Sequence, residues 1–154
     1  MATIPRLSTE WSVEFTIRLT TSSSSSWAID YCSVIRLTQG GDYSNVGDRT
    51  PAIFLEGKPI IVYSLLTSAT NGLMNHFYRT GSAPVVDEPT HIEIHQRYIS
   101  GGKYRYFIKW NGEEVYSVVN EKAQQFYNVK VYASDPWHDA CPVFIKNFSI
   151  TNFL

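Results

Sequence analysis

Apolar and polar residues alternate along most of this chain, and no stretch sustains the 3.6-residue stripe of an amphipathic helix. The run Trp11-Ser12-Val13-Glu14-Phe15-Thr16-Ile17-Arg18-Leu19 places Trp, Val, Phe, Ile and Leu on one face of a strand. Ser33 to Thr38, Pro51 to Glu56, Pro59 to Leu66 and Leu73 to Tyr78 read as further strands, with turns at Gly57-Lys58 and Asn71-Gly72. The serine tract Ser22 to Ser26, just ahead of Trp27, is too polar for a core and reads as a loop. Three more alternating runs, Thr90 to Ile99, Lys103 to Trp110 and Glu113 to Val119, are divided by Ser100-Gly101-Gly102 and Asn111-Gly112. Tyr127 to Ala133 and Val143 to Phe153 complete the set, and the single helical stretch, Asn120 to Gln125, is one turn long. About ten short strands with regular turn signals predict an all-β fold, an antiparallel two-sheet sandwich spanning residues 1–154 as one domain.

The two glycine turns set a register. A three-residue loop at Ser100-Gly101-Gly102 places Ile99 opposite Lys103, Arg97 opposite Arg105, His95 opposite Phe107 and Glu93 opposite Lys109. A two-residue loop at Asn111-Gly112, the strongest short hairpin signal, places Lys109 opposite Glu114 and Phe107 opposite Tyr116. One face then carries His91, Glu93, His95, Arg97, Arg105, Phe107, Lys109, Glu114 and Tyr116. The other carries Ile92, Ile94, Tyr106, Ile108, Trp110 and Val115, a core face. A patch of imidazoles, an arginine and aromatic rings suits a sugar, which needs directional hydrogen bonds and a ring to stack on. A plain solvated sheet surface explains the same pattern. Trp137, in the loop Ser134 to Asp139, either plugs the end of the core or offers a second stacking surface.

Composition narrows the classes. With 44% hydrophobic and 18% charged residues the chain is too apolar for disorder. A formal charge of −1 supplies no basic field for nucleic acid, and no run approaches the roughly 20 apolar residues of a membrane helix. Met1 to Arg6 has no apolar leader core, which a mature secreted chain would also lack. Cys32 and Cys141 stand either as one disulfide or as two buried thiols, and an extracellular setting is favoured over a cytoplasmic one.

Enzymatic chemistry finds little support, and the expectation is that the chain is not an enzyme. Retaining glycoside hydrolysis needs carboxyls about 5–5.5 Å apart, whereas Glu93 and Glu114 lie two strands apart with Lys109 between them. No Gly-x-Ser-x-Gly elbow, phosphate loop or Cys-x-x-Cys pair is present. His91-x-Glu93-x-His95 presents three ligating groups on one strand face, but sheet histidines are more often surface groups, so no metal site is expected there. Calcium is the one cofactor kept in view, through Asp42, Asn45 and Asp48 in one loop or Asp135 and Asp139 in another, residues that turn-capping also explains.

Three segments carry a resemblance: the opening strand Trp11-Ser-Val-Glu-Phe-Thr-Ile, Tyr106-Phe-Ile-Lys-Trp-Asn-Gly-Glu-Glu in the third quarter, and the closing Phe144-Ile-Lys-Asn-Phe-Ser-Ile. Together they resemble the concanavalin A-like jelly rolls, the group of galectins, laminin-G-like modules and pentraxins. The galectin strand motif His-x-Asn-Pro-Arg is replaced here by His91-Ile-Glu-Ile-His95-Gln-Arg97, so galactoside recognition of that kind is not implied. The resemblance implies a jelly-roll sandwich with its first and last strands adjacent and a sugar site on the polar face. The expected function is therefore non-catalytic glycan binding by His91, Glu93, His95, Arg97, Lys109, Phe107, Tyr116 and Trp137. The alternative is a protein-interaction or adhesion domain that forms homo-oligomers through its sheet edges.

Overall fold

The computed structural model describes residues 1–20, 31–56, 61–67, 75–81 and 84–153, with backbone alone for 61–67 and 75–77. The serine tract, Trp27 and the turns at Gly57-Lys58 and Asn71-Gly72 lie outside the described residues. The described strands are β1 (Ala2–Leu7), β2 (Glu10–Leu19), β3 (Tyr31–Thr38), β4 (Ala52–Glu56), β5 (Ile61–Thr67) and β6 (Asn75–Arg79). They continue with β7 (Pro89–Ser100), β8 (Lys103–Trp110), β9 (Glu113–Asn120), β10 (Phe126–Ala133), β11 (Asp139–Ala140) and β12 (Val143–Phe153).

One sheet runs β1-β10-β3-β4-β5-β6, with β11 added in parallel beside β3, and the other runs β12-β2-β7-β8-β9. The remaining pairings are antiparallel, and the long first and last strands, β2 and β12, are neighbours as the jelly-roll pattern requires. Trp11, Val13, Phe15, Ile17 and Leu19 are each at most 2% exposed. They join Ile92, Ile94, Tyr106 and Ile108 of their own sheet, and Val34, Ile35, Leu37, Ile53 and Leu55 of the other, in one core. Burying side chains of this size is the dominant stabilising contribution.

Two strands lie outside the set expected from the sequence, β1 and β11. β1 buries only Leu7 fully and contains Pro5, which an edge strand tolerates because its N–H side faces away from the ladder. β11 is two residues long and is held against β3 by the disulfide Cys32–Cys141, whose Cα atoms lie 5.0 Å apart. The expected helical turn at Asn120 to Gln125 does not form. Asn120 instead accepts a hydrogen bond from the Lys122 N–H and donates to Gln96 Oε1 at 2.9 Å, so its side chain takes the role a helix would give to backbone.

The hairpins hold with two corrections. Glu93↔Lys109, His95↔Phe107 and Arg97↔Arg105 pair as expected. The turn itself is the two residues Gly101-Gly102, both with positive φ, so Lys103 faces Ser100, and a bulge at Ile99 restores the register. At the second turn Asn111 (φ 50°) and Gly112 (φ 84°) have the left-handed backbone of a primed turn, and Lys109 faces Glu114. A bulge between that pair and Ile108 then shifts the strand by one residue, so Tyr116 faces Ile108 and Ser117 faces Phe107. Tyr116 therefore turns inward and stacks on Tyr78 at 4.5 Å between ring centroids.

The glycine requirement at the second turn is conformational alone, since a Cβ on Gly112 would meet nothing within 4 Å. Gly112→Val is expected to lower stability by about 1–2 kcal/mol, the strain of a side chain in left-handed backbone. Urea unfolding reads this as a lower midpoint at unchanged slope.

Candidate functional site

The outer face of the five-stranded sheet follows from pairing. Glu10, Ser12, Glu14, Thr16 and Arg18 of β2 lie between Phe153, Thr151, Ser149, Lys146 and Phe144 of β12 and the row Arg97, His95, Glu93, His91, Pro89 of β7. Arg105, Phe107 and Lys109 of β8 continue the surface toward Ser117 and Glu114 of β9. Of the predicted binding residues, six come together here: His91, Glu93, His95, Arg97, Phe107 and Lys109. Two do not. Tyr116 is carried inward by the β9 bulge, and Trp137 stands on the other sheet.

The centre of the face is a column of planar groups. The His95 ring lies 4.6 Å from Phe107, nearly parallel at 12°, and the Arg105 guanidinium sits 4.5 Å over the same Phe107 ring. Arg105 is fixed from its far side by both carboxylate oxygens of Glu114, each at 2.5 Å, and by Ser117 Oγ at 3.0 Å. His95 Nε2 is 3.0 Å from Glu93 Oε2, which makes that nitrogen the N–H donor, while the buried Nδ1 has no hydrogen-bond partner among the described residues. Burial disfavours the charged imidazolium of His95 and holds its pKa below the ordinary histidine value, with Arg97 adding to the shift and Glu93 and Glu14 only partly opposing it.

Glu93 also faces Lys109 Nζ at 3.8 Å and His91 Nε2 at 3.7 Å, and His91 Nδ1 is 3.3 Å from Thr16 Oγ1. At the margins two more arginines lie over phenylalanines of β12. The Arg97 guanidinium carbon is 3.7 Å from the Phe153 ring centre, and that of Arg18 is 5.2 Å from Phe144. Among the described residues neither guanidinium pairs with a carboxylate. Arg18, Phe144 and Lys146 line a pocket of about 380 Å³ with Asp87 and Pro89.

Glu14 is the residue of this face that sequence reasoning passed over. Alternation on β2 already turned it away from the core, but only the β2–β7 pairing shows that it stands directly opposite Glu93. Glu14, Glu93 and His95 bring one ligating atom each within 4.8 Å of one another.

The opposite sheet carries a different assembly. Arg36 is wholly buried, 2.6 Å from Asp42 and 3.1 Å from Asp135, with its guanidinium carbon 5.1 Å from both the Phe54 and Trp137 ring centres. Asp135 accepts the backbone N–H of Trp137 and of His138, each at 2.9 Å. Trp137 is thus a cover for a buried ion cluster, not an end plug of the core. Asp42 and Asp48, considered for calcium, are occupied by Arg36 and Arg49 and by the Asn45 N–H respectively.

No protein-family model matches the chain, and no curated protein matches it in sequence. The architecture is a two-sheet antiparallel jelly-roll sandwich, and comparison with solved structures bears this out. A heptameric SAP-like pentraxin from Limulus polyphemus superposes with a TM-score of 0.62 over 100% of this chain and 69% of its own, at 11% identity. An alginate lyase solved in complex with alginate tetrasaccharide gives 0.65 over 98% of this chain and 72% of its own, at 9% identity. An endo-β-1,4-glucuronan lyase from the fungus Trichoderma reesei gives 0.58 over 94% and 68%, at 9% identity. At such identities the likeness is one of fold.

Proposed function

We propose that the outer face of the β12-β2-β7-β8-β9 sheet binds a glycan without acting on it, and that the preferred glycan carries carboxylates. The observation that carries this reading is the Arg105–Phe107–His95 column, an apolar stacking surface bounded by groups that donate and accept hydrogen bonds. Preference for an acidic chain follows from Arg97 and Arg18, whose guanidinium groups have no carboxylate partner among the described residues and flank the two ends of the face. From the Glu10–Arg97 level to Arg18 is eight residues along β2, about 26 Å at strand rise, a span that suits an oligosaccharide better than a single sugar. That two of the similar structures are lyases of uronate polymers, one holding alginate, agrees with such a ligand. The disulfide agrees with an oxidising, extracellular setting.

A glycan array with neutral and uronate-bearing oligosaccharides tests the class. Titration calorimetry on the best ligand then tests the face. Phe107→Ala and Arg97→Gln are each expected to weaken binding at least tenfold, about 1.4 kcal/mol. Tyr127→Ala, an exposed change on the other sheet, leaves affinity unchanged. Affinity that survives both face variants overturns the reading. The advantage of acidic over neutral ligands shrinks as salt is raised, because exposed charge pairs are screened.

A second reading, self-assembly through β12, has one observation in its favour: Phe144, Phe148 and Phe153 are 60%, 38% and 42% exposed on this edge strand. Phe148 also lines an apolar cleft with Ile35, Val131 and Ile145. Sedimentation across a concentration series decides it, with a dimer that Phe148→Asp abolishes as the supporting result.

A further inference from the structure

We propose that Glu14, Glu93 and His95 form a binding site for a divalent transition metal of the zinc class, independent of any glycan. Glu14 and Glu93 face each other directly across antiparallel strands. Like charges at such positions destabilise a sheet unless something lies between them. Glu93 has partial compensation from Lys109 Nζ at 3.8 Å, His91 Nε2 at 3.7 Å and His95 Nε2 at 3.0 Å. Glu14 is half-buried and, among the described residues, has neither a hydrogen-bond nor an ion-pair partner. The third member, His95, is 93% buried, and its Nε2 lies 3.0 Å from Glu93 Oε2, so an ion bound there takes the place of the ring proton, which moves to the other ring nitrogen.

The donor set selects the metal. Two carboxylates alone would suit calcium or magnesium, whereas an imidazole nitrogen favours zinc and its first-row neighbours. Ligating atoms already within 4.8 Å of one another need only modest turning of the two glutamate side chains to reach a common ion at about 2.0–2.2 Å. The imidazole needs no search, because stacking on Phe107 fixes its plane. Three protein ligands leave a tetrahedral ion one position open on the outer face of the sheet. An ion there would also cancel the two negative charges at the middle of a surface whose margins carry Arg18 and Arg97.

The ligand set differs from the single-strand triad His91-x-Glu93-x-His95. His91 Nδ1 is turned to Thr16 Oγ1, and the place of His91 in the cluster falls to Glu14 of the neighbouring strand.

The test is calorimetric titration of zinc chloride into the full chain with no glycan present, together with cobalt(II) as a spectroscopic probe. One ion per chain is expected, with the intense visible bands of a four- or five-coordinate cobalt. Glu14→Gln, which removes a charge from the outer face of the sheet and leaves the core untouched, is expected to weaken zinc at least tenfold and to abolish those bands. His95→Gln does the same, while Glu121→Gln, an exposed carboxylate paired with Lys103, leaves both readouts unchanged. Zinc bound equally by wild type and Glu14→Gln overturns the proposal. So does an absence of saturable binding, or full displacement of zinc by a modest excess of calcium. None of these outcomes bears on whether a glycan binds.

Discussion

Replacing Cys32 and Cys141 with serine is expected to cost about 4–5 kcal/mol. The bond joins residues 109 apart in sequence. In the chain-entropy account a loop of that length, left open, returns about 4.7 kcal/mol of conformational freedom to the unfolded state. For a chain of this size that lowers the melting temperature by about 10–15 °C. The loss also has a local part: Asp139 and Ala140 pair with Cys32 and Ser33 only where the bridge draws the strands together. Hydrogen exchange should therefore report faster opening of the Cys141 amide, bonded to Ser33 O at 3.2 Å, than of β2 in the same variant. A melting temperature unchanged by the double substitution would show that the bridge constrains nothing.

Removing the buried arginine is the second large effect. Arg36→Met leaves Asp135, whose side chain is fully buried, without its cation, and is expected to cost about 3–5 kcal/mol. Arg36→Met combined with Asp135→Asn should recover much of that loss, since the buried Asp135 charge is removed and Asp42 keeps Arg49 as its partner. The same cluster sets an acid limit. Burial alone would push both aspartates up, but for Asp135 hydrogen bonds from His138 and the Trp137 N–H, with the charge of Arg36, more than cancel it. For Asp42 the hydrogen bonds and charges of Arg36 and Arg49 do the same. Both carboxyls are thus held below the ordinary aspartate value of 3.8 in the fold. The unfolded chain binds protons first as pH falls, so this stability is present above about pH 4 and is lost progressively below it. Chemical unfolding at a series of pH values should show that fall in the wild type and a shallower one in Asp135→Asn.

Where a surface is half wet, the chain was readable from residue order. β7 and β8 alternate on either side of Ser100-Gly101-Gly102, and the register from Glu93↔Lys109 to Arg97↔Arg105 is the expected one, the bulge at Ile99 making up for a turn one residue shorter than expected. What was not readable is what alternation does not encode. A single bulged residue in β9 sends Tyr116 inward, and nothing in Glu113-Glu114-Val115-Tyr116 marks it. Glu14 became part of the face only once β2 was placed beside β7, a choice of topology and not of local pattern. Trp137 was ambiguous because its partner, Arg36, is a hundred residues away in an otherwise apolar strand. A charge inside Val34-Ile35-Arg36-Leu37 is the one signal that pointed to it.

A ligand on the outer face of the five-stranded sheet would perturb the amides of β7 and β8 before those of the opposite sheet. Amide shift mapping of the labelled protein, titrated with an alginate or glucuronan oligosaccharide, tests that placement most directly. The largest changes are expected on Glu93, His95, Arg97, Arg105 and Phe107, fading toward the opposite sheet. Changes centred on Tyr43, Tyr132 and Trp137, with the β7–β8 hairpin unmoved, would contradict that placement.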